Sequence, residues 1–152
     1  MTDVILSSET TLAYLAGFFD GEGCVYILRS RRGSRIHFGL EISFTNGDVE
    51  PLKLAKNIFG GQITGSHDGR STCKAIHRLR IRSNQAAKAL EQMLPYLRVK
   101  RYRAELGIEF HNKFRAVDGV SSRRLSIEEC EQYKLAITSL NDKVWNRNRL
   151  IA

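Results

Sequence analysis

The nine residues Leu15-Ala16-Gly17-Phe18-Phe19-Asp20-Gly21-Glu22-Gly23 constrain the fold more than any other stretch of the chain. An apolar helical run ends there in two acids set among three glycines, and the alternating run Cys24-Val25-Tyr26-Ile27-Leu28 follows at once. A helix must therefore hand over directly to a strand. A carboxylate at the C-terminal end of a helix meets the negative pole of the macrodipole, which disfavours it. A compensating cation is expected close to this helix end.

Ser7 and Ser8 can cap the helix, which the spacing carries to about Asp20, with Glu9 in its first turn. Leu12, Leu15 and Phe19 form one apolar stripe, and Ala13, Ala16, Gly17 and Gly21 form a second stripe of very small residues. Small side chains one turn apart let two helix backbones come close together. Beyond the helix, Phe38, Leu40, Ile42 and Phe44 alternate with His37, Gly39, Glu41 and Ser43, which predicts a half-buried strand. The basic run from Arg29 to Arg35 reads as the turn between the two strands. Asp48 is placed to cap a helix starting near Val49 and closed by Phe59-Gly60-Gly61. A hairpin follows, with strands from Gln62 to about Ser66 and from Thr72 to Arg82 and a turn at Asp68-Gly69. On its return strand Leu79 and Ile81 point inward, leaving Arg78, Arg80 and Arg82 outward. Ala86, Ala87, Leu90, Met93 and Leu94 predict a helix ending at Pro95, and Leu97, Arg101, Ala104 and Ile108 a second one. A basic loop from Lys113 to Arg124 leads to the capping box Ser126-Ile127-Glu128-Glu129, which opens a last helix to about Leu140. Lys143, Arg147 and Arg149 decorate the tail.

The 152 residues suit one domain, 1–152, large enough to bury a real core. With 24 Lys and Arg against 16 Asp and Glu, the net charge is +8 and the pI about 9.7. That balance calls for a polyanionic partner, nucleic acid or an anionic membrane surface. No apolar run is long enough to span a bilayer, and Met1-Thr2-Asp3-Val4 lacks the features of a signal peptide. Cys24, Cys73 and Cys130 stand far apart, which reads as reduced thiols in an intracellular protein. His37, His67, His77 and His111 show no metal-binding spacing. Tyr96, Tyr102, Phe110 and Phe114 sit in helical context, where core packing is the expected role.

The glycine-acid segment and the element order around it resemble the LAGLIDADG homing endonucleases of the single-motif type, since no second copy of Gly-Phe-Phe-Asp-Gly-Glu-Gly occurs. The resemblance implies an α+β half-saddle, αββαββα, with a four-stranded antiparallel sheet carrying helices on one face. Its other face would straddle double-stranded DNA through Tyr26, Leu28, Ser30, Arg32, Arg35, His37, Glu41, Ser43, Gln62, Thr64, Ser66, Arg78, Arg80 and Arg82. A merely solvated sheet face would show the same alternation. Three arginines in register on one strand repel each other, however, unless an anion lies across them.

The same resemblance implies a site-specific endonuclease that cuts both strands of a long, roughly palindromic target as a homodimer. Glu22 stands at the motif position that holds the metal, with the carbonyl of Gly21 as a second ligand. Hard oxygen donors suit Mg²⁺, with Mn²⁺ as a substitute. Asp20 reads as a helix-end acid. Two chains packed through Ala13, Ala16, Gly17, Asp20 and Gly21 would bring two Glu22 residues together, their repulsion relieved by metal ions. Two ions would then serve the attacking and leaving oxygens of phosphodiester cleavage. Asn46 matches the water-orienting polar residue, and Lys100, after Pro95-Tyr96-Leu97, the lysine near the scissile phosphate. Where the family often carries a second basic residue the chain has Glu50, with Arg98 or Arg103 as stand-ins. A maturase acting on RNA or a catalytically idle DNA-binding protein could use the same saddle. Outside the resemblance stands a small basic RNA-binding protein whose glycine-acid segment is only a turn. The compartment expected is whichever one holds the target DNA.

Overall fold

The computed structural model describes residues 8–66, 75–114 and 125–151, and for 66 and 142–151 only the backbone course. The N-terminus, His67, the Asp68-Gly69 turn, Cys73 and most of the basic loop before Arg124 lie outside the described residues, as do the side chains of Lys143, Arg147 and Arg149.

Helix α1 (Glu9–Glu22) passes straight into strand β1 (Gly23–Arg32), followed by β2 (Arg35–Asn46), α2 (Glu50–Phe59), β3 (Gln62–Ser66), β4 (Ile76–Arg82), α3 (Ser83–Met93), a short 3-10 turn (Leu94–Tyr96), α4 (Arg101–Phe114) and α5 (Ile127–Ile151). The strands form one four-stranded antiparallel sheet in the order β1-β2-β4-β3. This is the α+β half-saddle architecture expected from the sequence, its αββαββα order followed by the two further helices α4 and α5 that the apolar spacing and the capping box also predict.

Local chemistry explains the boundaries. Ser8 Oγ accepts the Thr11 N–H at 3.2 Å and caps α1. The β1–β2 turn is much tighter than the expected Arg29–Arg35 loop, because Arg32 pairs with Arg35 across Gly33-Ser34 alone. Gly33 takes φ +60°, the left-handed conformation that such a two-residue turn needs. Helix α2 begins one residue later than expected and its N-cap residue is Val49, not Asp48, whose Oδ1 accepts the Glu50 N–H at 2.9 Å from one position further out. Both bonds of the capping box are made: Glu129 N–H to Ser126 Oγ at 3.1 Å, and Ser126 N–H to Glu129 Oε2 at 2.7 Å.

Period-2 alternation decides which face is buried. Val25, Ile27, Phe38, Leu40, Ile42, Phe44, Leu79 and Ile81 are all buried on one side of the sheet. Leu15 and Phe19 of α1, Leu52 of α2, Leu90 and Met93 of α3, and Ala104 and Phe110 of α4 join them in one core. Phe110 is stacked on Phe114 as expected of core aromatics, but Tyr102 is 61% exposed and takes no part in the core.

Helix α5 runs past Leu140, where its apolar period had suggested an end, to Ile151. It lies along β1, an edge strand of the sheet. Asn141 Nδ2 donates to the Val25 carbonyl at 3.3 Å, and Glu131 pairs with Arg29 at 2.7 Å. The helix thus covers a strand edge that would otherwise offer unpaired backbone groups. Among the described residues no helix is long and apolar enough to cross a membrane.

Candidate nucleic-acid interface and helix-end carboxylate

The cation demanded by the acidic end of α1 is Lys100. Its Nζ donates to the carbonyls of Phe19 at 3.1 Å and Asp20 at 2.6 Å at the C-terminal end of that helix, the Phe19 carbonyl accepting the Gly23 N–H as well. In return the Asp20 carboxylate accepts the backbone N–H groups of Arg98 at 2.9 Å, Val99 at 3.2 Å and Lys100 at 2.9 Å. These lie just before α4, so an acid of α1 caps the entrance to another helix. The two helix ends clasp each other, with a cation on the negative pole and an anion at the positive one. Lys100 is 9% exposed, and burial first and the Arg103 charge second push its ammonium below the ordinary lysine range. Asp20, Cys24 and Glu22 pull it back up, which places Glu22 within electrostatic reach.

Glu22 itself is exposed at the last position of α1 and makes no hydrogen bond or ion pair among the described residues. The next residue fixes where it stands. A Cβ on Gly23 would overlap the ring of Phe19, which is fully buried and packs edge-on against Phe44 at 5.1 Å. Gly23→Ala should therefore lower stability by about 1–3 kcal/mol, the usual cost of overpacking a core. Urea denaturation checks this, and an unchanged midpoint would show that the ring yields freely.

Other expected site residues prove to have structural employment. Register sets Gly23 opposite Phe44, which brings Asn46 to the same end of the sheet as Glu22. Asn46 Oδ1, however, accepts the Asp48 N–H at 3.1 Å and shapes the turn into α2. Glu50 pairs with Lys53 at 2.8 Å on the surface. Of its two stand-ins, Arg103 is 6% exposed and donates to the Leu140 carbonyl at 3.1 Å, so it anchors α5, while Arg98 remains exposed.

The small-residue stripe of α1 also needs correction. Ala13, Gly17 and Gly21 lie on the exposed side, but Ala16 is fully buried in the core of its own protomer. The Asp20 carboxylate turns inward to the clasp and is not a free surface acid.

On the open sheet face the register is regular. Tyr26 faces Glu41, Ser30 faces His37, and Arg32 faces Arg35. Glu41, Ser43 and Thr45 face Arg82, Arg80 and Arg78, while Gln62 and Thr64 face Arg80 and Arg78. Leu28 shares this parity, and the backbone of Ser66 pairs with Ile76 at the end of β3. No bulge interrupts β4 between Ile76 and Arg82, so its arginines keep the outward face.

Two residues expected to meet a ligand are instead covered: Glu41 is 1% and Ser43 4% exposed. The Glu41 carboxylate accepts from the Tyr26 hydroxyl and from Arg82 Nε, and Arg80 Nε lies 3.8 Å away. The anion across the arginines is thus partly intramolecular. Burial first, then the bond to Glu41, raise the Tyr26 hydroxyl to about 12, so it remains a proton donor at neutral pH. Sequence reasoning missed this arrangement and the clasp because their partners lie far apart along the chain.

The chain is thus a helix-backed antiparallel sheet with arginines along its open face and an exposed carboxylate at one end. The chain belongs to the LAGLIDADG endonuclease family, whose sequence model matches residues 15–117. No match was found among curated proteins. Among solved structures, the homing endonuclease I-CvuI, in complex with the I-CreI target, is similar with TM-score 0.62 and 18% identity, over 88% of this chain and 96% of that one. The archaeal intron-encoded homing endonuclease I-Vdi141I, complexed with DNA, gives TM-score 0.64 and 16% identity, over 88% and 84%. I-GzeII, a LAGLIDADG homing endonuclease in complex with its DNA target, gives TM-score 0.53 and 21% identity over 85% of this chain but only 43% of that chain. At these identities the likeness is one of fold.

Proposed function

We propose that the chain is a single-domain, site-specific endonuclease that cuts double-stranded DNA as a homodimer with divalent metal ions. The observation that carries this reading is Glu22, an exposed carboxylate without a protein partner, at the end of a helix in a chain of this family. Lys100 answers the helix end through the Phe19 and Asp20 carbonyls and leaves the exposed Glu22 carboxylate available to a metal cation. Glu22 and the Gly21 carbonyl are the residues that would hold Mg²⁺ or Mn²⁺, and both are hard oxygen donors. Among the described residues no group of three or more His, Cys, Asp or Glu is placed to bind an ion. The remaining ligands would then be water, substrate phosphate and groups of a second copy. The bound ions supply stabilisation of the attacking and leaving oxygens.

The chain's own residues have separate tasks. Lys100 is a buried positive charge that fixes the end of α1 through the Phe19 and Asp20 carbonyls, so its role is positioning. Asn46 shapes the adjoining turn and acts at that end of the sheet. Arg78, Arg80 and Arg82 bind the duplex, with Tyr26, Leu28, Ser30, Arg32, Arg35, His37, Gln62, Thr64 and Ser66 beside them.

The second copy is argued from Gly17 and Gly21. A Cβ at either position meets nothing within 4 Å in the protomer, so packing within the chain does not call for glycine. Glycine inside a helix costs about 1 kcal/mol against alanine. Close approach of another α1 explains keeping two of them, and Tyr14, 52% exposed on the same helix, offers further apolar surface.

Binding of Arg78→Ala, Arg80→Ala and Arg82→Ala across a salt series tests the DNA face. An arginine bidentate to guanine should weaken binding by about 1–3 kcal/mol per half-site and relax preference at one symmetric pair of positions. One that meets only phosphate should weaken all sequences alike and flatten the salt dependence. Three neutral results would contradict the proposed face.

A further inference from the structure

We propose that Glu41, which no DNA can reach, is a specificity-determining positioning residue that holds Arg80 and Arg82 in the orientation from which they read bases. The inference rests on the DNA-binding reading and names what selects the target within it.

Glu41 lies on the outward face of β2, yet it is 1% exposed because Tyr26 and the two arginines close over it. A carboxylate buried on the surface that has to receive a polyanion opposes the long-range attraction, so it needs a local reason. Its contacts supply one. Arg82 donates Nε to Oε2, and Arg80 presents Nε to Oε1 at 3.8 Å. On the same strand Arg78 donates Nε to Thr45 Oγ1 at 3.4 Å. Arg82 and Arg78 are thus hydrogen-bonded to β2 through the nitrogen nearest the stem, and Arg80 is drawn to Glu41 as an ion pair through the same nitrogen. The terminal amino groups, which form the fork that matches guanine O6 and N7, remain for the ligand.

The side chains of Arg80 and Arg82 are 42% and 61% exposed while that of Glu41 is 2%. The guanidinium groups therefore stand above their anchor. The Tyr26 hydroxyl holds Oε1 from the neighbouring strand and keeps the carboxylate from swinging out. Glu41 has two consequences. It fixes the direction of two forks, and it cancels one of two positive charges, which weakens binding to phosphate regardless of sequence.

The test compares the wild-type chain with Glu41→Gln and Tyr26→Phe. Each is measured on a duplex enriched by the wild-type chain from a randomised library and on a random-sequence duplex of equal length. Glu41→Gln keeps the shape but removes the charge. It should tighten binding to the random duplex, steepen the logarithmic salt slope by about 1–2 per dimer, and lower the specificity ratio about tenfold. Tyr26→Phe leaves the charge in place, so it should lower the ratio a few-fold without moving the slope. Wild-type ratio and slope in a folded Glu41→Gln chain overturn the proposal, since a merely structural acid would change only stability. Should Glu41→Gln not fold, an unchanged ratio in Tyr26→Phe overturns it equally. A wild-type chain that enriches no sequence overturns the DNA reading and this inference with it; enrichment with indifferent variants overturns the inference alone.

Discussion

Replacing Glu22 with glutamine is expected to abolish DNA cleavage while leaving specific binding largely intact. The substitution keeps length and shape and removes only the charge. Glu22 has no hydrogen bond or ion pair among the described residues, so the fold loses no contact when the charge goes. Taking a carboxylate from the end of α1 also removes an unfavourable interaction with the helix dipole, worth about 0.3–1 kcal/mol at an exposed site. The same charge also attracts the buried Lys100, which offsets that gain, so thermal stability should hold as activity disappears. That opposition separates a functional acid from a structural one. Near wild-type cleavage by Glu22→Gln in Mg²⁺ would show that the metal ligand lies elsewhere.

Gly17→Leu is expected to have the second largest effect, through assembly. Within the protomer the site is open, since a Cβ there meets nothing within 4 Å, and leucine is a far better helix former than glycine. An isolated protomer should gain up to about 1 kcal/mol from the change. A helix pair packed closely through Gly17 and Gly21 cannot accommodate the side chain, so the dimer and its double-strand cleavage should be lost together. Sedimentation across a concentration series reads the assembly directly. A Gly17→Leu chain that sediments as an active dimer would place the interface on another surface.

What the sequence revealed follows from how local each signal is. The passage from α1 to β1, the inward set Phe38, Leu40, Ile42 and Phe44, and the outward parity of Arg78, Arg80 and Arg82 were legible because a period of two needs only neighbouring residues. The Ser126–Glu129 box was legible because both of its bonds span three residues. The macrodipole argument called for a cation at the end of α1 but could not give its identity, since Lys100 is 80 residues from Asp20. The Asp20 side of that clasp was illegible for the same reason. Ala16 looked like part of an exposed stripe because small residues say little about which side of a helix is covered. The arginine-rich run from Arg29 looked like a loop because charge outweighed pairing, yet Arg29, Arg31 and Arg32 belong to an extended hairpin. Just past the end of the apolar period of α5, Asn141 packs through a hydrogen bond to the Val25 carbonyl, a contact that hydrophobic spacing does not show. Glu41 appeared as one more polar residue facing DNA. Only the register that brings Tyr26 and Arg82 to either side of it reveals a buried anchor.

Cleavage selection on a randomised duplex library in Mg²⁺ tests the central claim most directly. A homodimer with one Glu22 per protomer should enrich a long, roughly two-fold symmetric sequence cut on both strands, and Glu22→Gln should enrich nothing by cleavage. A selected site without two-fold symmetry, or no cleavage at any sequence by a chain that still binds DNA, would contradict the account.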